Sequence, residues 1–333
     1  MQVNQETAAA ILAATITANP EQAVHLQGPP GVGKTDLVFQ AAKAAGIPSD
    51  RVLLFRASMR DPVDLIGIPT TKAGVTKFNP PEELHRFKEG SGPGLIILDE
   101  LPQSSPAMQA ALSGLLLDFE LGGLKFDKQV ARVSTGNRVQ DKAGASRLLT
   151  QVGNRLLVLE VEVELQSWVK WAFSAGIPAE VIAFLQFRPG LLHDFDPNRT
   201  SNPTPRSWAM LSRLPQLPDA AYLAAASGLV GDGAAAEWCA ARKILTKLPS
   251  IAGILAGDAT PPLGDVVVAY AVSAALARQC DQRNFDTAMA YMVKAAQPEI
   301  QAMFVSLASQ RDDIVMEGSA FLEWAIENSE LIV

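Results

Sequence analysis

Gly28-Pro29-Pro30-Gly31-Val32-Gly33-Lys34-Thr35 is the stretch on which the reading of this 333-residue chain turns. It fits G-x-x-x-x-G-K-S/T, the pattern of a loop that wraps phosphate groups in backbone N–H. Before it, Ala23, Val24, His25 and Leu26 read as a short buried strand. After it, Leu37, Val38, Ala41 and Ala42 recur at helical spacing. A strand, a glycine loop and a helix N-terminus in that order form an anion cradle. In it, Lys34 would reach the β- and γ-phosphates and the Thr35 hydroxyl would take a place on Mg²⁺. Asp36, in the first turn that follows, is counted with the loop as a nucleotide-binding candidate. A glycine-rich turn is the alternative for an isolated match, and the flanking pattern argues against it.

A second stretch belongs with the first. Leu95-Ile96-Ile97-Leu98-Asp99-Glu100 is four apolar residues followed by two carboxylates. A buried strand ending in an acid can hold Mg²⁺ beside phosphates through water, which makes Asp99 the metal candidate together with Thr35. Glu100, next in line, is placed to polarise an attacking water. A strand running into a solvated acidic turn is the plainer alternative, and the phosphate loop upstream favours the catalytic one.

Composition sets bounds. Hydrophobic residues make up 48% and charged residues 19% of the chain, a packed globular balance. The net charge of −7 disfavours broad attraction to nucleic acid. Lys125, Lys128 and Arg132 fall close together, but Asp127 interrupts them, and they read as solvated charges on a hairpin. Two cysteines, Cys239 and Cys280, form no C-x-x-C and argue against a disulfide scaffold or a structural zinc. The first residues carry no signal-peptide pattern, and the longest apolar run, 266–277, is too short to span a bilayer. The expectation is a cytoplasmic protein with no membrane segment.

Up to about residue 165 the pattern alternates strand and helix, the signature of a layered α/β domain. Strands are expected at 23–27, 52–56, 95–98, 131–134 and 156–163, with helices at 34–45 and 107–117. Two hairpins interrupt this order, one at 67–78 and one around the Gly122-Gly123 pair at 119–126. Beyond residue 164, alanine-rich amphipathic stretches predict helices at 167–175, 179–187, 206–214, 220–229 and 234–245, with three or four more from 265 onward.

These motifs together resemble the AAA+ ATPases, and within them the MoxR-like branch, which is related to the magnesium-chelatase and McrB-type motors. The phosphate loop carries the resemblance. So does 60–69, with Asp61, Asp64, Leu65 and Gly67, which is similar to the start of that branch's helix-2 insert. So does Asp99-Glu100-Leu101-Pro102 followed by Gln109-Ala110-Ala111-Leu112. The resemblance covers the α/β part well, fades beyond about residue 250, and implies a P-loop αβα sandwich with a parallel sheet. It divides the chain into a nucleotide-binding domain at 1–165 with two hairpin inserts, a helical lid at 166–250 and a C-terminal helical extension at 251–333.

The resemblance also implies roles for residues. Asn137, after Ser134-Thr135-Gly136, sits where the family keeps its sensor-1 residue; a turn is the local alternative. Arg155, in Asn154-Arg155-Leu156, resembles the family's trans-acting arginine, although Asn and Leu stand where the family has Asp and Phe. Arg147, on an expected preceding helix, competes for that role. Arg206 in Thr204-Pro205-Arg206-Ser207-Trp208 resembles sensor 2. Thr204 suits the N-cap, Pro205 suits the first helical position, and an arginine in the first turn opposes the helix dipole unless it faces a phosphate. Phe78 and Leu124, on the hairpins, either touch a client or pack on their own domain. The segment before Ala23 is a candidate for adenine contacts.

The expected activity is Mg²⁺-dependent ATP hydrolysis by a homo-oligomeric ring, six subunits in the family, that remodels a protein client. A von Willebrand factor A-type partner is implied by the resemblance alone. Two other readings stay open: a nucleotide-gated scaffold with slow hydrolysis, and a DNA-directed motor, which the acidic balance disfavours. The loop does not read the base, so GTP is open as well.

Overall fold

Leu95, Ile96, Ile97 and Leu98 have no exposed surface. A strand covered on both faces reads as an unbroken apolar run, as this one does. The computed structural model describes residues 2–245, 248–257, 265–311 and 313–331. The chain divides into two units, Met1–Glu164 and Leu165–Val333.

In the first unit β1 (Gln2–Val3) and α1 (Gln5–Ala18) lead into β2 (Val24–Gln27), the phosphate loop and α2 (Lys34–Ala44). There follow β3 (Val52–Arg56), α3 (Pro62–Ile66), the hairpin β4 (Ile68–Lys72) and β5 (Val75–Asn79), and α4 (Glu82–His85). Next come β6 (Gly94–Asp99), α5 (Pro106–Ser113) and the hairpin β7 (Glu120–Leu121) and β8 (Leu124–Lys125). The unit closes with β9 (Val130–Gly136), α6 (Thr150–Gly153) and β10 (Leu157–Val161). Six strands form one all-parallel sheet in the order β1-β10-β2-β9-β6-β3.

Side-chain alternation along β6 sends Leu95 and Ile97 into one core and Ile96 and Leu98 into another. The first core holds Ala8, Leu12 and Ile16 of α1 and Leu37, Val38 and Ala41 of α2. The second holds Leu65, Leu84, Met108, Leu112 and Val152 from α3 to α6. This is the αβα sandwich of a P-loop fold. Because β9 lies between β2 and β6, the phosphate loop, the Asn137 segment and Asp99 leave three adjacent strands at their C-terminal ends. In open α/β sheets, that edge is where ligands bind.

Both expected hairpins form around two-residue turns of positive φ, as the twist of paired strands favours. Gly122 and Gly123 stand at 55° and 83°, Ala73 and Gly74 at 51° and 76°. The expected helix at 107–117 is divided: α5 ends at Ser113 and Gly114–Asp118 continues as a π-helical turn.

Among the described residues of the second unit the α-helices are α7 (Leu165–Ser174), α8 (Ala179–Phe187), α9 (Pro205–Leu211), α10 (Asp219–Val230), α11 (Asp232–Leu245), α12 (Ile251–Leu255), α13 (Val266–Gln279), α14 (Phe285–Ala295), α15 (Pro298–Ser309) and α16 (Ser319–Glu327), and no strand is found. The apolar run at 266–277 is the buried body of α13, which packs on α8 and α15. Phe184, Trp208 and Trp238 stand together with ring centroids 5.4–6.4 Å apart. Among the described residues no helix is long and apolar enough to cross a membrane.

Candidate nucleotide site

The phosphate loop folds as its glycines require. Gly31 and Gly33 adopt φ of 77° and 86°, which side chains disfavour. Gly28 has no room for one, since a Cβ there would come within 2.5 Å of the Val161 carbonyl oxygen. Val32 is buried in the core and Gln5 donates from Nε2 to its carbonyl at 2.9 Å, tying the start of α1 to the loop.

Lys34 is buried, and its Nζ donates to the carbonyls of Gly28 and Pro29, both at 2.9 Å, and to Asn137 Oδ1 at 3.0 Å. The loop, its lysine and the residue after β9 are thus one hydrogen-bonded group. Thr35 Oγ1 donates to Asp99 Oδ1 at 2.9 Å. Thr135 donates to the same oxygen, and its own hydroxyl accepts from the Glu100 N–H at 3.4 Å. Glu100 has φ 57° and ψ 36°, a left-handed conformation rare outside glycine, and its carboxylate accepts from Ser58. Asp36 is exposed in the first turn of α2, where its charge suits the helix dipole.

Hard oxygen donors at Thr35 and Asp99 fit Mg²⁺, which is held by one or two carboxylates together with substrate phosphates. Among the described residues no three His, Cys, Asp or Glu groups cluster to make an all-protein metal cage. Beneath the loop, His25 on β2 is 1% exposed and its Nδ1 lies 2.8 Å from the Ser134 hydroxyl. Burial first, and the Lys34 charge second, lower its pKa to about 4, so the imidazole is neutral at pH 7.

The structure brings together Lys34, Thr35, Asp99 and Asn137, with Glu100 next to Asp99. Arg147 corrects an expectation: it lies in an irregular stretch before α6, not on a helix, and is exposed. Arg155 is exposed between α6 and β10. Arg206 belongs to the helical unit, exposed in the first turn of α9, where Thr204 accepts from the Ser207 N–H as the N-cap. Of the hairpin residues, Phe78 is 47% exposed, whereas Leu124 packs against the core. Ser58 and Thr135 escape the sequence patterns. Thr135 lies two residues before Asn137, but a hydroxyl at a strand end carries no signature of its own.

No protein-family model and no curated protein matches the chain. Similar solved structures include a RuvB mutant from Thermotoga maritima, at 16% identity and TM-score 0.43, covering 82% of this chain and 83% of that one. They also include NtrX from Brucella abortus in complex with ATP, at 14% identity and TM-score 0.39, covering 98% and 67%.

Proposed function

We propose that this chain is an AAA+ ATPase of MoxR-like type that hydrolyses ATP with Mg²⁺, works as a ring of its own copies and remodels a protein partner. The observation that carries the reading is the hydrogen-bonded group of Lys34, Asn137, Thr35 and Asp99 at the C-terminal ends of β2, β9 and β6. Lys34 would exchange its loop carbonyls for phosphate oxygens. Thr35 and Asp99 would hold Mg²⁺, which supplies charge neutralisation on the β- and γ-phosphates when bound. Glu100 would accept the proton of the attacking water, and Asn137 would orient the terminal phosphate or that water. Arg206 is assigned to nucleotide-dependent signalling in the helical unit. An exposed arginine, Arg147 or Arg155, would complete the site of a second copy.

The test is Mg²⁺-dependent ATP hydrolysis per subunit over a wide range of protein concentration, with GTP as competitor. A steep rise with concentration supports sites completed between subunits. A constant rate in a demonstrated monomer removes the trans arginine, and no nucleotide binding at all removes the reading.

A further inference from the structure

The entry to the phosphate loop and the Asn137 segment are joined twice. At one junction Lys34 Nζ reaches both the Gly28 carbonyl and Asn137 Oδ1. The other junction is Glu160, on β10. Its Oε2 accepts from Gln27 Nε2 at 3.3 Å, and Gln27 is the residue before Gly28. Its Oε1 accepts from Arg138 Nη1 at 3.0 Å, and Arg138 is the residue after Asn137. The sheet register sets this up. Glu160 stands opposite Gln27, and Gln27 opposite Gly136, on adjacent parallel strands.

Asp141 completes the group. It takes the Arg138 guanidinium in a fork, from Nη2 at 2.7 Å and from Nε at 3.1 Å. Its Oδ2 also accepts from the Arg138 N–H at 3.2 Å. That N–H belongs to the peptide bond leaving Asn137, so the backbone at Asn137 is held directly. The side chains of Arg138, Asp141 and Glu160 are 20%, 8% and 21% exposed. Exposed ion pairs contribute little, whereas a forked and largely shielded one fixes geometry.

The two junctions differ in what a nucleotide would do to them. Lys34 is the cation that phosphate would engage. The Glu160 junction uses neither Lys34 nor the N–H groups of the loop, so it persists when Lys34 turns to phosphate. A residue that orients a water or a terminal phosphate needs such support, because small misplacements at a reacting centre are costly.

We propose that Arg138, fixed by Asp141 and Glu160, is the positioning residue that holds Asn137 in place for the reaction once Lys34 has turned to the phosphates. The assignment rests on the ATPase reading above and adds to it a group that no sequence motif marks.

Steady-state kinetics and calorimetric ATP titration of Arg138→Met and Glu160→Gln, each alone and combined with Asn137→Ala, test it. Alone, Arg138→Met should lower kcat by about tenfold, the worth of one hydrogen bond to a charged group, and leave ATP affinity within about twofold. Glu160→Gln keeps the shape and an acceptor for Gln27 and removes only the charge. It should lower kcat by about threefold, again at unchanged affinity, and it decides the matter if urea unfolding shows that Arg138→Met does not fold. In Asn137→Ala chains neither change should lower kcat further, since residues that act through one group are not additive.

Unchanged kcat in the folded variants overturns the proposal. So does a loss that repeats in full in Asn137→Ala chains, which would make the group a brace for the fold alone. A loss of ATP affinity as large as the loss of kcat overturns it too, and would place the action on the loop through Gln27. In each of these cases hydrolysis by the wild type leaves the ATPase reading standing. Asn137→Ala chains with wild-type kcat overturn the proposal, because nothing is then left to position. A wild-type protein that hydrolyses no nucleotide removes the ATPase reading and this assignment with it.

Discussion

The Thr35 hydroxyl donates to Asp99 Oδ1 across 2.9 Å, joining the first turn of α2 to the last residue of β6. Thr135 donates to the same oxygen, so one carboxylate oxygen ties two strand ends to the start of α2. Asp99→Asn keeps the shape but removes the charge a divalent cation requires. The expected result is loss of Mg²⁺-dependent turnover by about 10²-fold or more, as for removal of an electrostatic stabiliser, with the fold retained. A Mg²⁺ titration of turnover checks it, and an unaltered titration would take Asp99 out of the metal site.

Lys34 Nζ donates to the Gly28 and Pro29 carbonyls of the loop it serves and to Asn137 Oδ1. A phosphate would replace neutral carbonyl acceptors with anionic ones, adding charge–charge attraction to hydrogen bonds the ammonium already makes. Lys34→Ala should therefore weaken ATP binding by about 10–100-fold, the equivalent of about 1.5–3 kcal/mol for a charged hydrogen bond. Asn137→Ala should lower turnover more than affinity. Calorimetric titration of each variant decides, and wild-type affinity in Lys34→Ala would mean that the loop does not hold the nucleotide.

Glu100 is held in a left-handed conformation with its carboxylate on Ser58. If Glu100 is the base, Glu100→Gln should cut turnover by about 10²–10⁴-fold, the usual worth of general-base catalysis, while keeping nucleotide affinity. Ser58→Ala should cost less, because it frees the carboxylate without removing it. The double variant should then lose no more than Glu100→Gln, since residues acting as one unit are not additive. Independent losses would place the role of Ser58 elsewhere.

What was legible in the sequence was local. The loop, the acid after four apolar residues and the Gly122-Gly123 turn each declare themselves within eight residues, because backbone sterics and burial act at that range. Thr204 and Pro205 marked the start of α9 for the same reason. The helix α1 gave no signal: Ala8, Leu12 and Ile16 face the core, but alanines and threonines between them blur the stripe. Arg147 was expected on a helix and stands in an irregular stretch that follows Gly144, which has φ of 75°. The links from Ser58 to Glu100 and from Ser146 to Pro102 cross more than 40 residues of chain. Such links exist only once the sheet order is set.

His25 yields a prediction that needs no nucleotide. Its imidazole is 1% exposed against Ser134 Oγ, and its pKa falls from the ordinary 6.5 to about 4. Above pH 6.5 the folded and unfolded chains both carry it neutral, and its contribution to stability is complete. Between pH 6.5 and about 4 the unfolded chain takes up a proton that the folded chain refuses, so the unfolded state binds more protons and stability falls as pH falls. The whole loss amounts to about 3 kcal/mol at 1.36 kcal/mol per unit. His25→Gln keeps a polar partner for Ser134 and does not titrate. The stability of wild type relative to His25→Gln, measured by urea unfolding from pH 7 to pH 4, should therefore decline by about that amount across this window. A flat difference would mean that the imidazole beneath the phosphate loop titrates in the fold as it does in the unfolded chain.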